Sequence, residues 1–273
     1  MLRPYYGDLH VHTVLSPCAS YNMLPSLIVK RACAMGLDIL AVTDHNSAEN
    51  AAAVVKASAG SKLRVLPGME VETREEVHVL ALFDRVEDVQ HWQQVVYSHL
   101  PDLPNQESIF GVQLVVDAED QLVRRESRRL LIATALPVQR VVEEVTRLGG
   151  ICIASHVDRP SYSIIQTLGF VPPGLDLAAL EVSRNVSAHE YSRGRTLAGY
   201  RVVQSSDAHD LDDLGTARTL YHLAEPTLAE IALACRGRQG RQALLIDEEE
   251  IGQSDWDTVK QALGGSGVGS CGN

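Results

Sequence analysis

The stretch Gly7-Asp8-Leu9-His10-Val11-His12-Thr13 has the pattern of a buried strand that carries two histidines. Alternate side chains of an extended strand lie on the same face, so His10 and His12 point in one direction and can bind one metal ion. A single pair of this kind is weak evidence, because a histidine on a strand is more often a core or surface residue. The prediction of a metal site therefore depends on ligands from the rest of the chain.

The composition describes an ordinary globular protein of 273 residues, with 45% hydrophobic and 22% charged residues. The net charge of -11 argues against binding of long nucleic acid, because such binding uses Lys and Arg to neutralise phosphates. A small phosphorylated substrate remains compatible, since bound divalent cations reverse the local field. Without an 18-residue apolar run, a signal peptide or CxxC spacing, we expect a cytoplasmic protein with reduced thiols and no membrane partner. The sequence indicates no oligomeric state.

Strands and helices alternate along most of the chain, which predicts a parallel α/β sheet or barrel. Gly36 ends the first predicted helix, and Ser47 and Thr227 are predicted helix caps. After the first strand the predicted elements are a helix at 25–36, a strand at 38–43, a helix at 48–57, strands at 64–70 and 77–83, a helix at 138–148, strands at 151–156 and 177–182, a helix at 188–198, strands at 201–204 and 216–220, a helix at 227–236 and a strand at 243–246.

Residues 84–137 interrupt this alternation with a predicted helix at 86–98 and a hairpin of 112–116 against 122–125. We interpret them as an insertion that forms a lid or wall beside the site. Its basic run at 124–129 could bind an anion, although a solvated face with internal pairing to Glu126 is the favoured interpretation. The predicted organisation is a barrel of 1–83 and 138–263, the insertion 84–137 and a flexible tail 264–273.

Residues of the metal-binding types stand at the ends of successive predicted strands. Because the carboxyl ends of parallel strands meet at one rim, we expect these side chains to lie together. Each alone could be a core histidine or a turn cap, but as a set they favour metal binding. The set consists of His10, His12, His45, Glu70, His78, His156, Asp207 and His209. The residues left out are Glu72, Glu75 and Glu76, interpreted as solvated loop charges, and His91, His99, His189 and His222, of which only His189 could face the site.

These residues belong to motifs that resemble those of the polymerase and histidinol phosphatase (PHP) superfamily. The resemblance implies a distorted (β/α)7 barrel with two or three divalent metal ions that hydrolyses phosphoesters. The motifs are Asp8-Leu9-His10-Val11-His12, Val42-Thr43-Asp44-His45, Pro67-Gly68-Met69-Glu70 with His78, Ala154-Ser155-His156, and Ser206-Asp207-Ala208-His209.

By the same resemblance, three ligand sets are expected. They are His10, His12, Glu70 and Asp207 for one ion, Glu70, His78 and His156 for a second, and His45, His209 and Cys18 for a third. Relatives that bind three metals carry histidine or aspartate at the position of Cys18. A thiolate there would favour zinc or iron over magnesium or manganese. Alternatively, Cys18 is a bystander and the third site is weak or empty.

Hydrolysis of a phosphoester needs an activated water and compensation of charge on the phosphoryl oxygens. Two ions about 3.5–4 Å apart supply both, and a bridging carboxylate such as Glu70 would fix their separation. Arg159, and as second choice Arg184, are candidate phosphate-binding residues, with a surface salt bridge as the alternative for each. The predicted catalytic residues are His45, Glu70, Asp207 and His209, with His45 or His209 protonating the leaving oxygen if no third ion is bound.

Asp8 and Asp44 neighbour predicted ligands in sequence. They either orient ligand imidazoles or hold turns, and the sequence leaves both roles open.

The leading hypothesis is a phosphoesterase that uses zinc, manganese or iron on a small phosphorylated metabolite or nucleotide. A nuclease or proofreading-type module is an alternative that trimming of oligonucleotides would support. A non-catalytic metal-dependent sensing or partner-binding protein is a third hypothesis. The carboxylates Glu70 and Asp207 argue against it, because degenerate sites usually lose bridging carboxylates first.

Overall fold

The computed structural model describes residues 1–187 and 196–246. They form twelve strands and seven helices. The strands are β1 (Arg3–Val11), β2 (Ile39–Val42), β3 (Arg64–Glu72), β4 (His78–Leu82), β5 (Leu114–Val116), β6 (Leu122–Arg125), β7 (Ile151–Ala154), β8 (Leu177–Val182), β9 (Thr196–Leu197), β10 (Tyr200–Gln204), β11 (Thr219–Leu223) and β12 (Gln242–Leu245). The helices are α1 (Pro25–Ala34), α2 (Ala51–Ala57), α3 (Val86–Tyr97), α4 (Glu107–Phe110), α5 (Val138–Arg147), α6 (Ile164–Leu168) and α7 (Leu228–Cys235).

The large sheet is a nearly closed barrel with the strand order β1-β2-β3-β4-β7-β8-β10, and β11 and β12 continue it beyond β1. An isolated parallel bridge between Val11 and Ala208 closes the barrel. There the amide of His12 donates to the carbonyl oxygen of Ala208 at 3.0 Å, and the amide of Ala208 donates to the carbonyl oxygen of His10 at 3.2 Å. The predicted distorted barrel is confirmed, and its seam lies beside the first histidine pair.

Strand β4 runs antiparallel to both of its neighbours, β3 and β7, which corrects the expectation of a wholly parallel barrel. The side-chain alternation of a strand is the same in either direction, so the sequence pattern alone does not fix this orientation. The remaining barrel pairs are parallel.

Apolar helix faces cover the outside of the barrel. In α5, Val138, Val141 and Val145 are buried, and in α3 Trp92 is fully buried in the same core cluster. Since both faces of the strands are covered, β2 and β8 are continuous buried runs, as expected for such strands. Burial of each large apolar side chain contributes about 1.5–3 kcal/mol. No helix in the described ranges is long and apolar enough to span a membrane.

The two predicted helix caps differ in outcome. The hydroxyl of Thr227 accepts a hydrogen bond from the amide of Glu230 and caps α7, as predicted. The prediction for Ser47 is wrong, because α2 begins only at Ala51, and the Ser47 hydroxyl lies 2.7 Å from the hydroxyl of Tyr97.

The predicted helix at 188–198 is wrong at its end, where Thr196–Leu197 form β9 and pair with β10. The rest of that helix, with His189, lies outside the described residues, as do residues 247–273 with the predicted tail. Strand β11 begins three residues later than the strand predicted at 216–220.

Residues 84–137 contain the predicted helix, α3, and the predicted hairpin of β5 and β6. The hairpin is attached to the barrel helices by the side chain of Asp120 at its turn and by backbone groups of β5. The amide of Ser26 in α1 donates to Asp120 at 3.0 Å, and Asn50 hydrogen-bonds with both Leu114 and Val116 at 3.0 Å. These contacts hold the insertion against α1 and α2. The division of the chain into barrel and insertion stays a prediction.

Candidate metal centre

The Glu70 carboxylate occupies the centre of the candidate site, near the end of β3, and is almost completely buried. Its oxygen atoms lie 2.9–3.4 Å from five imidazole nitrogens. Oε1 faces His10, His78 and His156, and Oε2 faces His12 and His45. The structure therefore brings together side chains from four different parts of the chain around one carboxylate.

Asp207 lies on the other side of the first histidine pair. Its Oδ1 atom is 3.3 Å from Nε2 of His10 and 3.2 Å from Nε2 of His12. Its Oδ2 atom is 2.8 Å from Nη1 of Arg159. Both Asp207 and His156 have positive φ values, 50° and 30°. Residues other than glycine adopt this conformation at a cost, and such strain concentrates at functional sites.

His78 reaches the cluster in a different way from the one predicted. It is the first residue of β4, and because β4 is antiparallel, the amino end of this strand lies at the rim. The His78 ring also stacks on the ring of Tyr162 at 4.5 Å between centroids. The sequence analysis did not identify Tyr162 as a neighbour of the site.

His10 has a buried partner that the sequence analysis missed. Its Nδ1 atom is 2.9 Å from Oε1 of Glu181, and this oxygen also accepts the amide of His156 at 3.3 Å. Glu181 is a glutamate within the otherwise apolar strand β8 and is almost completely buried. A lone charge in a buried strand was the available signal. The carboxylate holds the proton of His10 on Nδ1 and directs Nε2 toward Glu70.

His12 is oriented through a hydroxyl. Nδ1 of His12 lies 3.0 Å from Oγ of Ser16, and the proton of Ser16 is donated to Asp44 at 2.7 Å. Because the Ser16 hydroxyl proton is donated to Asp44, the Ser16 oxygen accepts the proton on Nδ1 of His12. Nε2 of His12 is then unprotonated, and its lone pair faces the cluster. Asp44 also accepts the amide of Thr13 at 2.7 Å, so it holds the turn and acts on His12 only through Ser16.

Asp8 contacts backbone and hydroxyl groups and holds the seam. It accepts hydrogen bonds from the amide and hydroxyl of Ser206, at 3.0 and 2.5 Å, and from the amide of Gly215 at 3.0 Å. Burial raises the pKa of Asp8 to about 6, although these hydrogen bonds oppose the rise. Of the two roles left open for Asp8, the structure supports the turn.

The charges of the cluster are strongly coupled. Burial alone would raise the pKa of Glu70, but His78, His10 and His45 outweigh it and hold the pKa well below its usual range. Burial alone would lower the pKa of His10, but Asp207 and Glu70 outweigh it and raise the pKa. The carboxylate stays ionised, and positive charge is favoured beside it.

The donor set fits divalent cations. Among the described residues, Nε2 of His10, Nε2 of His12 and Oε1 of Glu70 are buried without a hydrogen-bond partner. Each of three groups has ligand atoms that all lie within 4.8 Å of one another. They are His10, His12 and Glu70, then His45, Glu70 and His78, then His12, His45 and His209. Buried imidazole and carboxylate ligands suit zinc, manganese and iron.

A family model described as the PHP domain matches residues 8–172, which is more than half of the chain. The chain belongs to the PHP domain family. This confirms the resemblance, and with it the fold class. No curated protein matches the sequence of this PHP chain.

Solved structures match this PHP chain at the level of the fold. Lesion-specific endonuclease Q from Pyrococcus furiosus has a TM-score of 0.64 and 18% identity, over 88% of this chain and 58% of that chain. Endonuclease Q bound to a 27-mer duplex with an abasic lesion has a TM-score of 0.61 and 19% identity, with the same shares of both chains. PsfC from Pseudomonas syringae PB-5123 has a TM-score of 0.55 and 18% identity, over 96% and 99%. The PHP chain thus spans 58% of the length of endonuclease Q.

Cys18 lies at the edge of the PHP cluster with an exposed residue surface. His45 and His209 are the neighbours that act on the charge of its thiol. Burial of the sulfur raises the pKa of Cys18, but these two histidines outweigh burial and lower it to about 6. The compact group at this place contains His12, His45 and His209 and does not include Cys18, so binding of an ion by Cys18 stays a prediction.

An open cleft of about 600 Å³ leads to the cluster of the PHP barrel. Its lining side chains come from the barrel rim and from the insertion, including Phe110, Ile132, Arg159 and Tyr162. The prediction that Glu72 is a solvated charge is wrong. It is buried at the end of β3 and lines the cleft, and burial raises its pKa to about 7.

Other predicted residues lie outside the cleft. Arg184 pairs with Asp213 at 2.8 Å, which is the surface salt bridge considered as its alternative role. His91 and His99 are exposed, and His222 lies on β11, consistent with their exclusion from the site.

Proposed function

We propose that this chain is a metal-dependent phosphoesterase that hydrolyses a small phosphorylated metabolite or nucleotide. Membership of the PHP family supports hydrolysis of phosphoester bonds. The observation that carries the proposal is the buried Glu70 carboxylate, which lies within 3.4 Å of five imidazoles at the base of a cleft. A carboxylate in this position suits a bridge between two cations.

The residues that would hold the ions follow the three sets expected from the sequence. His45 is the exception. It was expected in the third set, but its Nδ1 atom lies 3.0 Å from Oε2 of Glu70, which belongs to the second set, so His45 lies between the two proposed ion positions. When bound, zinc, manganese or iron ions would lower the pKa of a water molecule and neutralise charge on the phosphoryl oxygens. The number of ions, two or three, depends on whether Cys18 is a ligand.

Arg159 is the proposed phosphate-binding residue. Its guanidinium lines the cleft, is about one-third exposed at 36%, and is positioned by Oδ2 of Asp207 at 2.8 Å. An arginine has five N–H donors, so this contact leaves donors for a bidentate contact with phosphate oxygens.

His209 is the proposed proton donor to the leaving oxygen, with His45 as its neighbour in the same role. The Nδ1 atom of His209 lies 3.0 Å from the carbonyl oxygen of Asp207 and donates to it, so Nε2 is the atom that can carry the transferred proton. The side chain is 28% exposed, so a substrate can reach it from the cleft. This role and binding of a third ion are alternatives for the same nitrogen.

The test is hydrolysis by protein loaded with Mn²⁺ or Zn²⁺, measured on a panel of phosphomonoesters, nucleotides and bisphosphonucleotides. Glu70→Gln and Asp207→Asn should abolish turnover of every compound that the wild type hydrolyses. Absence of turnover by the wild type at full metal occupancy would overturn the proposal.

A second candidate function is cleavage of nucleic acid. Its support is the fold shared with endonuclease Q, whose structure contains a duplex with an abasic lesion. The net charge of -11 opposes it. Cleavage of labelled oligonucleotides, with and without an abasic site, in preference to small phosphoesters would favour this function.

A further inference from the structure

The basic run at 124–129 divides into paired arginines and one that has no ionic partner. Arg124 lies 2.9 Å from the buried carboxylate of Glu126, and Arg128 lies 3.1 Å from the same carboxylate. Arg125 lies 2.7 Å from Glu107. Arg129 makes no ion pair within the described part of the chain, and its Nε atom is buried there without a hydrogen-bond partner.

Arg129 lies over an aromatic ring of the cleft wall. Its Cζ atom is 4.2 Å from the ring centroid of Phe110, and Phe110 is one of the side chains that line the cleft. Stacking over the ring holds the guanidinium plane, and the two terminal NH₂ groups, unlike the buried Nε, are the donors that can meet an anion. Arg129 itself is not a lining residue, but its contact with Phe110 places it against the cleft wall, at what we call the border of the cleft.

The backbone around this pair is fixed. The amide of Arg129 donates to the carbonyl oxygen of Leu103 at 3.0 Å, and the side-chain amide of Asn105 donates to the carbonyl oxygen of Gly111 at 2.9 Å. Gly111, which follows Phe110, packs so closely on Pro17 that a Cβ atom there would overlap the Pro17 carbonyl oxygen. The stacked pair is therefore preorganised against the barrel.

The charges along the cleft also direct an anion to this border. Glu76 lines the cleft and repels a negative group, and Arg159 is already in contact with Asp207. A substrate with one phosphate at the metal cluster and a second anionic group can place the second group favourably beside Arg129.

We propose that Arg129, held over Phe110, is a specificity-determining residue that binds a second phosphate of the substrate, beyond the phosphoester that is hydrolysed. This inference rests on the proposed function, because the first phosphate is the one at the metal cluster. The second phosphate belongs either to a small bisphosphate or to the backbone of a short oligonucleotide.

Binding to protein loaded with a divalent ion that supports no turnover tests Arg129 without hydrolysis. Calorimetry compares fructose 1,6-bisphosphate with fructose 6-phosphate, and the dinucleotide pTpT with TpT, since the members of each pair differ only by one phosphate. Arg129→Gln should weaken binding of the compound with two phosphates by about 10-fold or more, and Arg129→Lys by less, because one charge-assisted contact is lost. Binding of the compounds with one phosphate should not change. The wild type should gain affinity from the second phosphate in one of the two pairs. That pair shows whether the second phosphate belongs to a small bisphosphate or to an oligonucleotide.

Arg125→Gln is the matched control, because Arg125 belongs to the same run and pairs with Glu107 away from the cleft lining. It should bind both members of each pair as the wild type does. Thermal melting of the Arg129 variants, and of Phe110→Leu, establishes that they fold. Wild-type binding of the two-phosphate compounds by folded Arg129→Gln would overturn the inference.

Turnover separates this inference from the proposed function. If Mn²⁺-loaded wild type hydrolyses phosphoesters and Arg129→Gln keeps the wild-type preference between one and two phosphates, Arg129 is not the specificity residue and the proposed function stands. If the wild type hydrolyses nothing at full metal occupancy, the proposed function fails, and the binding comparison alone decides for or against Arg129.

Discussion

The Nδ1 atom of His10 and the Oε1 atom of Glu181 are 2.9 Å apart, and both side chains are almost completely inaccessible to solvent. The carboxylate accepts the Nδ1 proton and leaves Nε2 facing Glu70 and Asp207. The orientation of a proposed ligand is thus set by a residue on another strand of the barrel. Partners of this kind raise the basicity of a metal-binding imidazole and fix its tautomer.

Glu181→Gln should lower metal affinity by about 10–100-fold, because the amide no longer provides a charged acceptor for His10. Competition of the protein with a chromophoric chelator measures this affinity. Glu144→Gln is the control, since Glu144 is also a mostly buried glutamate but pairs with Arg140 and Arg147 on α5. Equal affinities for wild type and Glu181→Gln would contradict the proposed role of Glu181.

Metal binding should raise the melting temperature, because the cluster gathers unpartnered imidazole and carboxylate atoms that exist together only in the folded chain. At a free metal concentration of 100 times the dissociation constant, the gain is about 2.7 kcal/mol. For a domain of this size that corresponds to roughly 5–10 °C. Calorimetric scans with Mn²⁺ or Zn²⁺ measure the shift. It should be reversed by a chelator and reduced in His12→Ala, and an unchanged melting temperature with metal would refute the site.

Gly111→Ala should destabilise the protein more than Gly149→Ala does. Both glycines have positive φ, 93° and 82°, so alanine is strained at either position. Only at Gly111 would the new Cβ also overlap Pro17, whereas nothing lies within 4 Å at Gly149. Such overpacking adds about 1–3 kcal/mol to the loss of stability.

Urea unfolding of the two glycine variants measures this difference. The rate of Cys18 alkylation, followed by peptide mass spectrometry, should rise only in Gly111→Ala, because Pro17 adjoins Cys18. Equal loss of stability in both variants would show that the contact with Pro17 carries no energy.

Arg159→Gln should weaken inhibition by inorganic phosphate by about 10-fold, as expected for loss of a bidentate charged contact. Arg64→Gln is the control: Arg64 pairs with Asp84 at 2.7 Å and is 37% exposed, which closely matches the 2.8 Å pair and 36% exposure of Arg159. Inhibition constants are measured with the substrate found in the panel. A larger effect in Arg184→Gln than in Arg159→Gln would reverse the order of the two candidates.

Local patterns in the sequence were sufficient to place the residues around the site. Buried apolar runs that end in His45, Glu70 or His156 show where each strand ends, and the structure gathers these residues as expected. His78 was found by its place in a motif. Its position at the amino end of a strand was not found, because alternation of side chains is blind to strand direction.

Residues whose roles depend on distant partners could not be predicted from local patterns. Glu181 contacts His10, which lies 171 positions earlier in the chain. The cap predicted at Ser47 failed for a similar reason, because Tyr97 offers its hydroxyl another partner. Glu72 was taken for a loop charge, although strand β3 continues to that residue. In each case tertiary contacts outweighed a reasonable local preference.

The closure of the barrel at Val11 and Ala208 bears on the order in which the molecule can form. Asp8 and Ser206, which hydrogen-bond across this seam, are 198 positions apart. Contacts between residues this far apart in sequence form late. The entropy cost of closing the long chain segment between them comes before the contacts can contribute favourable free energy. During synthesis the histidines of the first strand therefore reach their final surroundings only after nearly all of the described chain has been made. The complete set of proposed ligands is assembled in the same step that completes the fold, so a partly formed barrel would present only part of the proposed metal site.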